Sequence, residues 1–403
     1  MGSVSQAKSI AFLTNPFFYF AGIWSLALIL YSFNWSHLCK PISFELGIFC
    51  FTIIALSLLL GFVLLRLRSG INQKSCENDY ERTIGVTVAL FLVSTIGMLY
   101  QRSIPLLNIY DGRAYNDIEL GIPLIGAMAT SYALFHGYRL NYLYFKTRRI
   151  SYLVEYASIL LVFILLLQRQ NIVFSFAGLF IAWMSFRLKR RRSFWTKIII
   201  VLSAGILVAF ALFVFGAIGN VRYGIWDWND SSMISAVGAM NSNYPEWLPK
   251  EYFWIYIYLV SPIVNLFNNI QYVTPDYSIL YLLAQFIPSS ISSRLGFVPN
   301  QEFLIQPSLT VGTAFVQPYL AMGYIGMYCY FFVIMLAVFF VLTCTSPKQS
   351  CAFAIREAMI YYLVLMIFDN PSTYLTTGYL LIIAIVYCVV SMIRRAKTTT
   401  NRI

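Results

Sequence analysis

Residues 42–65 read ISFELGIFCFTIIALSLLLGFVLL, 24 residues in which Glu45 is the single charge. As a helix this run is about 36 Å long, at ~1.5 Å per residue, enough to cross a hydrocarbon core of roughly 30 Å. Runs of similar apolarity recur near 15–33, 83–100, 121–138, 150–167, 171–186, 198–217, 319–343, 357–368 and 378–393. The whole chain of 403 residues is 59% hydrophobic and only 11% charged, against roughly 25% charged residues in soluble domains. The expected fold class is therefore an all-α polytopic membrane protein with about ten spans.

Charge fixes the expected orientation. Of the 28 Lys and Arg, 21 fall on the side that holds both termini, including the run Arg187-Leu-Lys-Arg-Arg-Arg192. Basic residues are retained on the cytoplasmic side, so both termini are expected there, in a bacterial inner membrane. On this reading the net charge of +12 reflects topology and anionic lipid, and no nucleic-acid partner is expected. Lys8 alone precedes the first apolar run, and Asn15-Pro16 reads as a helix N-cap with proline in the first turn. The first span is thus expected to be a retained signal anchor.

The exception to the pattern is 218–318, expected to form one large external loop between helices in 1–217 and 319–403. It carries Trp226, Trp228, Trp247 and Trp254 and no cysteine, so packing on the helices rather than disulfides must order it. Its segments 252–267 and 277–287 are apolar but short or proline-marked, and are expected to be re-entrant or interface-lying, which preserves the charge-derived parity.

No nucleotide-binding glycine loop is present, no His/Cys/Asp cluster has metal-ligand spacing, and no nucleophile elbow is found. Neither a metal nor another cofactor is expected. Ionisable groups within the spans are few, Glu45, Glu155, His136 and Arg139, and no internal repeat supports a transporter. External arginines stand out instead. Arg222, between Gly219 and Gly224, leads Arg169, Arg294, Arg102 and Arg113, since a guanidinium suits bidentate capture of phosphate. Glu302 is the preferred carboxylate for a general base. Trp226 and Trp228, in polar sequence, could stack on sugar rings or belong to an interfacial aromatic belt.

Three runs carry a resemblance: GNVRYG (219–224), YLVSPIVNL (258–266) and TVGTAFVQPYLAMGYIG (310–326). With Ile104-Pro-Leu and Gly121-Ile-Pro123, over roughly residues 100–330, they resemble the Wzy-type O-antigen (oligosaccharide repeat unit) polymerases. Met322 stands where many members carry an acid, so no catalytic acid is carried over to that position. The resemblance implies a GT-C-like glycosyltransferase acting on undecaprenyl-diphosphate-linked oligosaccharides, donor and acceptor, at the periplasmic face. It implies that Arg222, with Arg169 or Arg294, neutralises the leaving diphosphate; with Glu302 as the preferred base, the expected catalytic groups are Arg222, Arg294 and Glu302. It implies Arg169, Arg102, Arg113, Tyr223, Trp226, Trp228, Tyr258, Thr313 and Tyr319 as substrate-binding residues. A chain-length regulator protein is a candidate partner. The competing readings are an O-antigen ligase, disfavoured by the lack of histidine in 218–318, and a lipid-linked glycan flippase or exporter.

Overall fold

The computed structural model describes residues 12–69, 81–102, 104–110, 122, 124–188, 198, 202, 205, 232–297, 302–306, 308–344, 349–374 and 377–400. Every regular element among them is a helix; the extended backbone contributes one isolated bridge, Ser36 to Met240. In chain order they are α1 (Pro16–Ser32), α2 (Phe44–Ser69), α3 (Ile84–Gln101), α4 (Pro105–Tyr110), α5 (Ile125–Thr147), α6 (Ile150–Leu165) and α7 (Arg169–Leu188). There follow α8 (Ser232–Val237), α9 (Tyr252–Tyr272), α10 (Ile279–Ala284), α11 (Ser289–Ser292), a 3-10 turn (Ser293–Leu295), α12 (Val316–Cys344), α13 (Gln349–Leu365) and α14 (Gly378–Thr400). Four of these, α2, α3, α9 and α12, are long and apolar enough to cross a membrane, and shorter apolar helices occur at α1, α6 and α14. The expected span 198–217 falls almost wholly outside the described residues.

Local chemistry explains several boundaries. Asn15 caps α1, its side-chain oxygen accepting from the Phe17 amide at 3.2 Å, and its own amide donates to the Gly61 carbonyl of α2 at 3.0 Å. The cap thus fixes one helix start and one helix pair together. Between α6 and α7 the chain turns in three residues, with Leu167 at φ 53°. The core is aromatic: Phe315 sits 5.4 Å from Trp24 of α1 and 4.9 Å, edge-on, from Phe49 of α2. Large side chains such as Phe51, Leu59 and Phe62 instead point outward from α2, where a lipid solvent costs them nothing.

The bundle has two chemically distinct ends. At one, which we call the base, Arg139 of α5 is paired with Glu81, its Nε donating to Oε2 at 2.9 Å. At the other, the roof, the turn after α1 holds the 238–244 segment. Asn241 donates to the Asn34 carbonyl at 2.8 Å, and the His37 amide donates to the Ala239 carbonyl at 2.9 Å. The roof also receives 302–315, where the Ala314 amide donates to the Met366 carbonyl at 2.9 Å.

Two expectations need correction. The apolar segment expected to be re-entrant or interface-lying over 252–267 extends further, as a continuous helix of 21 residues, Tyr252–Tyr272, that runs through Pro262. Both ends nevertheless touch the same turn: the Tyr256 hydroxyl accepts from the Trp35 amide at 3.0 Å, and the Tyr272 hydroxyl accepts from Lys40 Nζ at 2.9 Å. Tyr256 and Tyr272 are about 24 Å apart along a helix axis, so α9 lies across the roof end. Second, the ninth apolar stretch begins earlier than 357, because α13 starts at Gln349. That places Arg356 and the fully buried Glu357 inside a helix, beyond the four ionisable groups the sequence marked.

Helix α12 is broken near its start. Met322 (φ −147°, ψ 19°) and Gly323 (φ 63°, ψ −150°) leave helical geometry, and the carbonyls of Leu320 and Ala321 accept instead from the amides of Asp276 and Ser278, at 2.8 and 2.9 Å. The backbone at Gly323 is open to glycine alone. At Gly326 a Cβ would stand 2.1 Å from the Pro318 carbonyl oxygen. Gly323→Ala is expected to destabilise the fold by about 1–3 kcal/mol, the strain typical of such a position. A thermal midpoint in detergent equal to the parent's would refute that assignment.

Candidate functional site

The roof segment 302–315 has no regular structure, yet it is held tightly. Asn265 of α9 donates from Nδ2 to the carbonyls of Leu309 (2.8 Å) and Val311 (2.9 Å) and accepts at Oδ1 from the Ile305 amide (3.0 Å). One turn on, Asn269 donates to the Phe303 carbonyl and accepts from the Phe303 amide, both at 2.9 Å. Two buried amides on one helix face therefore satisfy five backbone bonds of a chain that has no ladder partner. This is the structural content of SPIVNLFNN (261–269).

Glu302 is what the clamp presents. Its Oε1 accepts from Gln317 Nε2 at 2.8 Å, and Gln317 Oε1 is in turn held by the Tyr281 hydroxyl. Its Oε2 lies against Gly312, where a Cβ would stand only 2.7 Å away. Burial pushes the Glu302 carboxyl upward, opposed by the Gln317 hydrogen bond. Asp369, in the turn after α13, is its electrostatic neighbour. Desolvation pushes Asp369 up to about 7; the Asn370 amide works against that, and the charge of Glu302 adds to it. Asp369 still keeps solvent-accessible surface. Asn370 anchors the turn, accepting from the Tyr330 hydroxyl and donating to the Gln285 carbonyl at 3.1 Å.

Both carboxyls thus have a raised affinity for protons, each mainly through burial, and the charge of Glu302 adds to the effect at Asp369. The sign of the linkage is definite. Between the ordinary aspartate value of 3.8 and about 7, folded Asp369 holds more proton than the unfolded chain, so stability falls as pH rises through that window. Asp369→Asn is therefore expected to raise the thermal midpoint at about pH 8, with the gain shrinking toward about pH 4. A gain equal at both pH values would contradict the assignment.

The other sequence-derived residues are distributed unevenly around this pair. Thr313 is buried and accepts from the Phe315 amide at 3.3 Å, and Tyr319 donates to the Ile270 carbonyl at 3.1 Å. Both thus brace the roof around Glu302. Tyr258 lies on α9 and is partly exposed. Arg294 is exposed in the 3-10 turn, near the point where the Ser289 amide donates to the Thr373 carbonyl at 2.9 Å. Arg102 ends α3 in the left-handed region, φ 51°, and Arg169 opens α7. Arg222, Tyr223, Trp226, Trp228 and Arg113 lie outside the described residues. Of the remaining loop tryptophans, Trp254 is buried and Trp247 is 81% exposed.

Asp369 was not marked by the sequence reading. Its signal is Phe368-Asp-Asn-Pro371, a turn signature closing an apolar run, which reads as punctuation unless the turn is known to neighbour Glu302. Among the described residues no group of three or more His, Cys, Asp or Glu could hold a metal ion. No protein-family model, curated protein or solved structure matches the chain.

Proposed function

We propose that this chain is a ten-span polysaccharide polymerase of the bacterial inner membrane, with both termini cytoplasmic and the roof periplasmic. It joins undecaprenyl-diphosphate-linked repeat units of O-antigen or a related surface glycan. The observation that carries the reading is Glu302, held by Gln317 in the clamped roof segment, with Asp369 as its electrostatic neighbour. An acceptor sugar hydroxyl loses its proton as its oxygen attacks the anomeric carbon of the donor chain. The anomeric C–O bond breaks, and undecaprenyl diphosphate leaves with the electron pair. Glu302 receives the hydroxyl proton, with Asp369 as its electrostatic neighbour. Carboxylates repel a diphosphate, so the leaving group belongs with the arginines, Arg222 and Arg294 first, where developing charge is neutralised. No nucleotide is consumed, in keeping with the absence of a phosphate-cradling loop.

Deletion of the gene separates the readings on a glycan gel. Loss of a polymerase leaves lipid A core bearing a single repeat unit. Bare core with lipid-linked polymer still present would identify a ligase, and unaltered chain lengths would exclude both.

A further inference from the structure

The base half of the bundle holds a second polar constellation that the roof chemistry does not use. Glu155 of α6, Thr83 and Thr87 at the start of α3, and His136 of α5 are all buried. The Thr83 hydroxyl donates to Glu155 Oε1 at 2.9 Å, and the Thr87 hydroxyl donates to Oε2 at 2.7 Å. Thr87 Oγ1 also lies 3.1 Å from His136 Nε2. A hydroxyl has one proton. If Thr87 gives it to Glu155, then His136 must donate from Nε2, which leaves Nδ1 as a bare acceptor. That nitrogen is buried and has no hydrogen-bond partner among the described residues.

Glu155 is bonded by hydroxyls alone, with no cation among its described partners. The nearby guanidinium, Arg139, is engaged by Glu81, which also accepts from Ser350 of α13. Facing the constellation are Tyr132 of α5, stacked on the imidazole at 6.4 Å and sharing a hydroxyl contact of 3.1 Å with Tyr387 of α14. Among the described residues, Tyr156 and Tyr152 of α6 and Cys351 of α13 are further buried titratable groups on the helices packed there. Burying a charged group in a membrane bundle carries a large desolvation cost, so an imidazole there favours moving a proton through its neutral tautomers over holding it as imidazolium.

We propose that His136, Thr87 and Glu155 form a proton relay, in which a proton taken at Nδ1 of His136 is delivered to Glu155 through the Thr87 hydroxyl. The step balances. A bond forms between the incoming proton and Nδ1 while the Nε2–H bond breaks; Thr87 gains that proton and passes its own to Oε2. The products are the other neutral tautomer of His136, an unchanged Thr87 and a neutral Glu155 carboxyl. The two hydrogen bonds of Thr87 survive with donors and acceptors reversed, and the Thr83 hydroxyl goes on donating to Oε1. The relay is independent of the roof site and stands or falls separately from the polymerase reading.

The chain has two histidines, so His37→Gln leaves His136 as the only imidazole, and nitrogen-15 histidine spectra of the full-length protein in nanodiscs report its tautomer directly. At high pH the expected state is Nε2–H with Nδ1 unprotonated. On acidification the neutral Nδ1–H tautomer appears, with the same midpoint as a carboxylic C=O band in difference infrared spectra that Glu155→Gln removes. Glu155→Gln, whose amide donates to Thr87, locks the Nδ1–H tautomer at every pH. Thr87→Val abolishes the tautomer switch and Thr87→Ser restores it. An Nδ1–H tautomer at high pH, direct conversion to imidazolium without the neutral intermediate, or an unchanged switch in Thr87→Val would each overturn the relay. The first two need only the His37→Gln protein.

Discussion

Glu302→Gln is expected to cut the rate of chain extension by about 10²–10⁴-fold, the range that a positioned general base contributes, while the protein still accumulates in the membrane. The substitution keeps the volume and a hydrogen-bond acceptor for Gln317, whose Nε2 donates to Glu302 Oε1 at 2.8 Å, so the roof has little reason to rearrange. What disappears is the charge that receives the hydroxyl proton and that raises Asp369. A coupled effect follows. Asp369 in the Glu302→Gln protein should hold its proton less tightly, so residual activity should extend to lower pH than the parent's. Parent-like extension by Glu302→Gln would remove Glu302 from the mechanism.

Asn265→Ala is expected to release the roof segment as a unit. The side chain satisfies the Leu309 and Val311 carbonyls and the Ile305 amide, and a backbone group left buried without a partner costs about 1–3 kcal/mol. Three such groups in one segment cannot be reabsorbed locally, since α9 is buried on nearly all sides there. The outcome to measure is limited proteolysis of the purified protein, with cleavage appearing within 302–311 while the helices stay resistant. Asn265→Asp, which keeps the acceptor for the Ile305 amide and loses both donors, should lie between Ala and the parent. Resistance equal to the parent's in the Ala variant would show that the clamp does not hold the segment.

What the sequence made legible follows from the strength of each physical signal. Apolar run length marks helices well, because burying or dissolving twenty consecutive apolar residues leaves few alternatives. The cap at Asn15 was legible for the same reason: Asn-Pro before an apolar run has one local solution. The segment at 252–272 was harder. Its proline suggested a break, but α9 continues past Pro262, and Asn265 and Asn269 beyond it are buried and bond outward to another segment. Asparagine reads locally as a turn former, so that outcome depends on residues some forty positions away.

The candidate site was half visible. Glu302 could be named from residue type and loop position, whereas Asp369 lies 67 residues further on and becomes its partner only when the turn after α13 packs under 302–315. Thr313 and Tyr319 were picked out by the resemblance and turn out to brace the backbone around Glu302. Glu155 and His136 were noted singly. Their link through Thr87 depends on how α3, α5 and α6 cross, which no spacing along the chain encodes.

The most direct measurement supplies the purified chain, in proteoliposomes, with undecaprenyl-diphosphate-linked repeat units and no nucleotide or added metal. The account predicts a ladder of lipid-linked glycans growing by whole repeats, with one undecaprenyl diphosphate released per linkage, and a ladder lost in the Glu302→Gln, Asp369→Asn double variant. Transbilayer movement of the lipid-linked unit without any new glycosidic linkage would contradict it.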